Sequence, residues 1–79
     1  MAPTVFREDG FRFFFFSREE PRIHVHVSHA DGEAKFWLEP NIELSQHVGL
    51  NERQLRQARQ LIERHANEII SSWQQHFGG

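Results

Sequence analysis

Ile23-His24-Val25-His26-Val27-Ser28 is the stretch on which the fold turns. Apolar and polar residues alternate along it without a slip. Successive side chains of an extended strand point to opposite faces. Ile23, Val25 and Val27 are therefore predicted to face a core, and His24, His26 and Ser28 to face away. A strand with one buried face needs neighbours to pair with and a layer to cover its apolar side.

Upstream lies Phe11-Arg12-Phe13-Phe14-Phe15-Phe16. Aromatic residues favour strands, and alternation places Phe11, Phe13 and Phe15 on one side with Arg12, Phe14 and Phe16 on the other. Before it, Thr4-Val5-Phe6-Arg7 reads as a short strand, and Asp9-Gly10 is a tight-hairpin pair joining the two. Ser17-Arg18-Glu19-Glu20-Pro21 reads as a polar loop. Downstream, Ala30-Asp31-Gly32 is a second turn, and Glu33-Ala34-Lys35-Phe36-Trp37-Leu38 is a strand with Ala34, Phe36 and Leu38 inward and Lys35 and Trp37 outward. Pro40 ends it. Residues 41–48 alternate again and suggest a fifth extended segment.

The covering layer follows at once. Asn51 with Gln54 three residues later fits a capping box, and Leu50 with Leu55 fits a hydrophobic staple. Leu55, Ala58, Ile62, Ala66, Ile69, Trp73 and Phe77 form one apolar stripe at helical spacing, and Gly78-Gly79 breaks it. The charged residues between them read as a solvated helix face. The predicted fold class is α+β: a four- or five-stranded, mainly antiparallel sheet with one long C-terminal helix on one face. Residues 1–79 form a single domain on this reading, with strands within 4–48 and the helix over about 51–77.

Composition narrows the function. The chain has 79 residues, and nine Lys+Arg against eleven Asp+Glu give a formal charge of −2. That balance argues against an indiscriminate nucleic-acid binder, whose affinity comes from many phosphate-neutralising cations. Cysteine is absent, so disulfides, thiolate nucleophiles and Cys-ligated zinc are excluded. No apolar run approaches the ~20 residues of a membrane span, and the first residues lack the layout of a signal peptide. The expected location is the cytoplasm. No phosphate-binding glycine loop, nucleophile elbow or zinc-finger spacing is present, so no catalytic residue, cofactor or metal is assigned.

What remains is the sheet face turned away from the helix. Alternation gathers Arg12, Phe14, Phe16, His24, His26, Lys35 and Trp37 there. An exposed aromatic cluster of this kind marks a docking surface for a partner protein or a second copy of the chain, as a homodimer. The alternative is a small RNA-binding or RNA-cleaving protein. Bases would stack on the rings, cations would meet phosphates, and His24 would act as acid or base. His24 and His26 also project from one strand face, and a metal would need a third ligand such as Asp31 or Glu33.

These same residues resemble a family of small bacterial and archaeal proteins, domain of unknown function 4160. The resemblance rests on Pro3-Thr4-Val5-Phe6, on residues 10–17, on Pro21-Arg22-Ile23-His24-Val25, on residues 32–38 and on a closing helix with Trp73. The family pattern reads Pro-Pro-His ahead of Ile-His-Val. Here Glu20 and Arg22 replace the first Pro and the His, leaving His24 as the matching histidine. The resemblance implies no established activity. It does imply a gene set beside another small gene in a toxin–antitoxin-like pair, and so a protein partner encoded nearby.

Overall fold

Five strands follow one another in the computed structural model, which describes residues 4–16 and 21–77. They are β1 (Thr4–Glu8), β2 (Phe11–Phe14), β3 (His24–His29), β4 (Gly32–Trp37) and β5 (Glu43–Val48). Each pairs antiparallel with the next, so sheet order equals chain order and β1 and β5 are the edges. Two helices complete the chain, α1 (Glu52–Arg64) and α2 (Ala66–Phe77). The predicted α+β class holds, with the sheet at five strands.

Local chemistry explains the turns. Asp9 and Gly10 hold φ of 53° and 84°, the left-handed pair that a two-residue hairpin between twisted strands requires. Gly49 closes β5 at φ +83°, and a Cβ there would come within 2.3 Å of the Asp31 carbonyl oxygen. Only glycine meets both demands. β1 and β5 are each irregular. The register shifts between Thr4 and Phe6 on one side and between Lys35 and Phe36 on the other.

The register sorts the side chains into two faces. Phe13 pairs with Val27, and Val27 with Ala34. Phe11, Phe13, Phe15, Val25, Val27 and Phe36 are at most 2% exposed and form the core with Ala58, Leu61, Ile62, Ile69 and Trp73 of the helices. This is the face predicted for the core. The opposite face carries a second row, Thr4, Phe14, His26, Lys35 and Gln46, one residue from each strand.

α1 starts as the sequence requires. Gln54 N–H donates to Asn51 Oδ1 at 2.8 Å, and Asn51 N–H donates to Gln54 Oε1 at 2.9 Å. Leu50 is buried and Leu55 packs against the same core. Gln54 Nε2 also donates to Asp31 Oδ2 at 2.7 Å, which ties the cap to the β3–β4 turn.

One expectation is corrected. The predicted single long helix is two helices, interrupted at His65, whose φ and ψ are −107° and 17°. Backbone bonds continue on both sides, from His65 N–H to the Leu61 carbonyl and from Ile69 N–H to the His65 carbonyl. The apolar stripe therefore runs through the interruption without losing phase, and spacing alone could not reveal it. The strand predicted over residues 11–16 is also shorter, ending at Phe14. Most of the predicted polar loop, at residues 17–20, and the terminal Gly78-Gly79 lie outside the described residues. No helix among those described is long and apolar enough to cross a membrane.

Candidate functional site: the outer sheet face

The outer face is built from neighbouring strands whose rings meet across the pairing. Phe14 faces His26 directly in the β2–β3 register, and their ring centroids lie 5.6 Å apart, near-parallel. Phe16, just beyond β2, sets its edge on Phe14 at 5.5 Å and lies 4.2 Å from His26. The Arg12 guanidinium sits 4.4 Å over the Phe14 ring while its Nε donates to Thr4 Oγ1 at 2.8 Å. Arg12, Phe14, Phe16 and His26 thus form one assembly, as alternation predicted.

A second assembly surrounds Trp37. Its ring takes Arg22 at 4.3 Å and Lys35 at 4.4 Å as cation–π partners. Arg22 Nε also donates to the Glu39 carbonyl at 2.8 Å. His24 faces Trp37 in the β3–β4 register, with ring centroids 5.3 Å apart. Sequence reasoning had no means of placing Arg22 here, because the contact depends on how the segments flanking β3 and β4 meet.

Two placements differ from the expected open surface. Phe14 is only 7% exposed, because Arg12, Phe16 and His26 cover it from its own face. His24 is fully buried. Its ring is bracketed by Trp37, by His26 at 5.1 Å and by Trp73 of α2 at 5.1 Å. Trp73 in turn meets the core through Phe15 at 5.3 Å, so His24 joins the outer face to the helical layer instead of standing free upon it. Its Nδ1–H donates to the Arg22 carbonyl at 2.7 Å, since a carbonyl oxygen can only accept. His29 lies elsewhere, beside Phe11, with its Nδ1 accepting from the Asp31 N–H. The three clustered histidines therefore do not converge. Among the described residues no group of three or more His, Asp or Glu is arranged to hold a metal ion.

What the face does present is a shallow depression of ≈ 320 Å³ beside Phe16. Phe14, Phe16, His26 and Lys35 line one part of it, and Gln46 and Val48 of β5 the other. Phe16 is 49% exposed and Val48 71%. All six residues of β5 are exposed, so among the described residues this edge strand is covered on neither face and its outer backbone edge has no neighbouring strand. The Gln46 and Val48 contribution was not foreseen. Alternation puts Ile42, Leu44, Gln46 and Val48 on one side, but the irregularity in β5 sets Leu44 opposite Phe36 of the core face and Gln46 opposite Lys35 of the outer face. The adjacency of Gln46 and Val48 to Phe16 depends on the sheet order.

A second cluster was not foreseen. At the helix interruption, His65 Nε2 lies 2.9 Å from Glu8 Oε1 and Nδ1 lies 3.0 Å from Glu68 Oε1. Arg64 reaches the other Glu8 oxygen at 3.1 Å. The Glu8 bond is the main cause of a raised His65 pKa, with Glu68 adding to it and partial burial opposing. The His65–Glu68 spacing is legible on a helix; Glu8, 57 residues away, is not.

A five-stranded meander with helices on one face and a ring-lined outer face defines a small α+β protein with a candidate docking surface. The chain belongs to the family described as a domain of unknown function, DUF4160, whose family model matches residues 10–74. No curated protein and no solved structure matches it.

Proposed function

We propose that the protein is a non-enzymatic, cytoplasmic bacterial docking module that binds a partner protein through the outer sheet face and β5. The observation that carries this reading is the uncovered edge strand beside the ring-lined depression. An edge strand with open N–H and C=O groups accepts an added strand, which supplies backbone hydrogen bonds. The depression beside it takes one apolar side chain of the incoming segment, which supplies specificity. The partner is therefore a protein that presents an extended segment with an apolar anchor, and the chain is one component of a toxin–antitoxin-like pair. Phe16 and Val48 are the contact residues on this side. Phe14, His24 and Trp37 hold the surface in shape from beneath, and Arg12, His26 and Lys35 form its polar margin.

The test is co-expression with the product of the adjacent small gene, followed by light scattering. The reading expects a heteromeric complex that Phe16→Asp and Val48→Lys each abolish, with helical circular dichroism unchanged. A mass near twice 9.4 kDa without the partner, lost in the same variants, would assign the face to a second copy. A complex that survives both substitutions would refute the assignment.

A further inference from the structure

His65 stands where α1 ends and α2 begins, and three elements hold its ring. Glu8 reaches it from the end of β1, Glu68 from the first turn of α2, and Arg64 of α1 shares Glu8 with it. Phe6 of β1 lies against the ring, centroids 4.1 Å apart, and itself stacks on Phe13 of the core at 4.2 Å. Carboxylate oxygens accept hydrogen bonds and do not donate them. Both ring nitrogens face such oxygens at hydrogen-bond distance, so both carry protons in this arrangement. A neutral ring keeps one proton and turns a lone pair on the other nitrogen toward a carboxylate.

We propose that His65 is a pH-sensitive latch that holds the first turn of α2 to the end of β1, engaged while both ring nitrogens are protonated and loosened when one proton is lost. The charged groups facing the ring are Glu8, Glu68 and Arg64. The two carboxylates favour the cation. Arg64 opposes it by charge but keeps Glu8 ionised. Neither β2 nor β3 contributes a charge to these contacts. Because the folded ring holds its proton more tightly than an ordinary histidine, whose pKa is about 6.5, the latch is fully engaged below about that pH and opens as pH rises through the folded value. The site is independent of the docking face, so this inference stands or falls apart from the proposed function.

The experiment uses the full chain, with its histidine rings followed by NMR from about pH 5 to about pH 9 and amide exchange at Ile69 and Ile70 measured alongside. His65 is expected to titrate above the ordinary histidine value. Protection at those amides, corrected for intrinsic exchange, should fall about two- to fivefold across that titration, the range that partly exposed ion pairs sustain. Glu8→Gln, which keeps the side chain's shape, should return the titration toward the ordinary value and flatten the change in protection. Wild-type His65 titrating at or below the ordinary value would overturn the proposal. So would protection in α2 that does not change through the titration. If Glu8→Gln fails to fold, the wild-type titration and exchange decide alone.

Discussion

Phe14 and Phe16 lie on the same face, two residues apart, yet the structure assigns them opposite energetic roles. Phe14 is 7% exposed and Phe16 49%. Fully burying a Phe side chain is worth about 1.5–3 kcal/mol of transfer free energy. Phe16, half buried, holds about half of that, or about 1 kcal/mol, with a few tenths more from its ring contacts. Phe16→Ala should therefore cost about 1–1.5 kcal/mol. Phe14→Ala loses the full transfer term and leaves a cavity beneath Arg12 and His26, so it should cost about 3–5 kcal/mol. A domain of this size holds only about 4–12 kcal/mol in total, so Phe14→Leu, at about 1–2 kcal/mol, is the practical companion. Urea unfolding at neutral pH, followed by far-ultraviolet circular dichroism, gives the differences. If Phe16→Ala costs as much as Phe14→Ala, Phe16 is a structural residue and its exposure has no meaning for docking.

Other consequences can be checked with the same assay. Ile62→Ala, at a fully buried position between sheet and helix, should cost about 2–5 kcal/mol, and a loss under 1 kcal/mol would contradict a central place in the core. Asn51→Ala removes a capping bond of 2.8 Å and should lower stability by about 1 kcal/mol, with amide exchange at Gln54 accelerated. Gly49→Ala combines a left-handed backbone with a 2.3 Å approach to the Asp31 carbonyl. It should displace β5 from the start of β4, seen as lost exchange protection at residues 43–48, and an unchanged pattern would show that the turn tolerates a side chain.

Strand direction, turn chemistry and helix capping were legible because each depends on neighbours in the chain. Phe13, Val25, Val27 and Phe36 fall on the core face as alternation required, and Asn51 and Gln54 make both capping bonds. The faces followed from parity, so Phe14, His26 and Lys35 came out together. Burial on the outer face did not follow. Phe14 is shielded by Arg12 and Phe16 of its own segment and by His26 of β3, and His24 by the rings of His26, Trp37 and Trp73; alternation says which way a side chain points but not what lies over it. His24 shows the limit well, since Trp73, 49 positions further along, closes it off. The helix interruption stayed hidden because the apolar period is unbroken there. His65 makes polar contacts at the interruption, one of them to Glu8 near the start of the chain, and the apolar period carries no trace of them.

The central claim is that a protein partner adds to the uncovered edge of the sheet. Amide hydrogen exchange of the complex with the adjacent gene's product, compared with the chain alone, tests it most directly. The account predicts slowed exchange at residues 43–48, where open backbone groups become paired, with the outward surface of α1 unchanged. Protection confined to the helices, with exchange along β5 as fast as in the free chain, would contradict it.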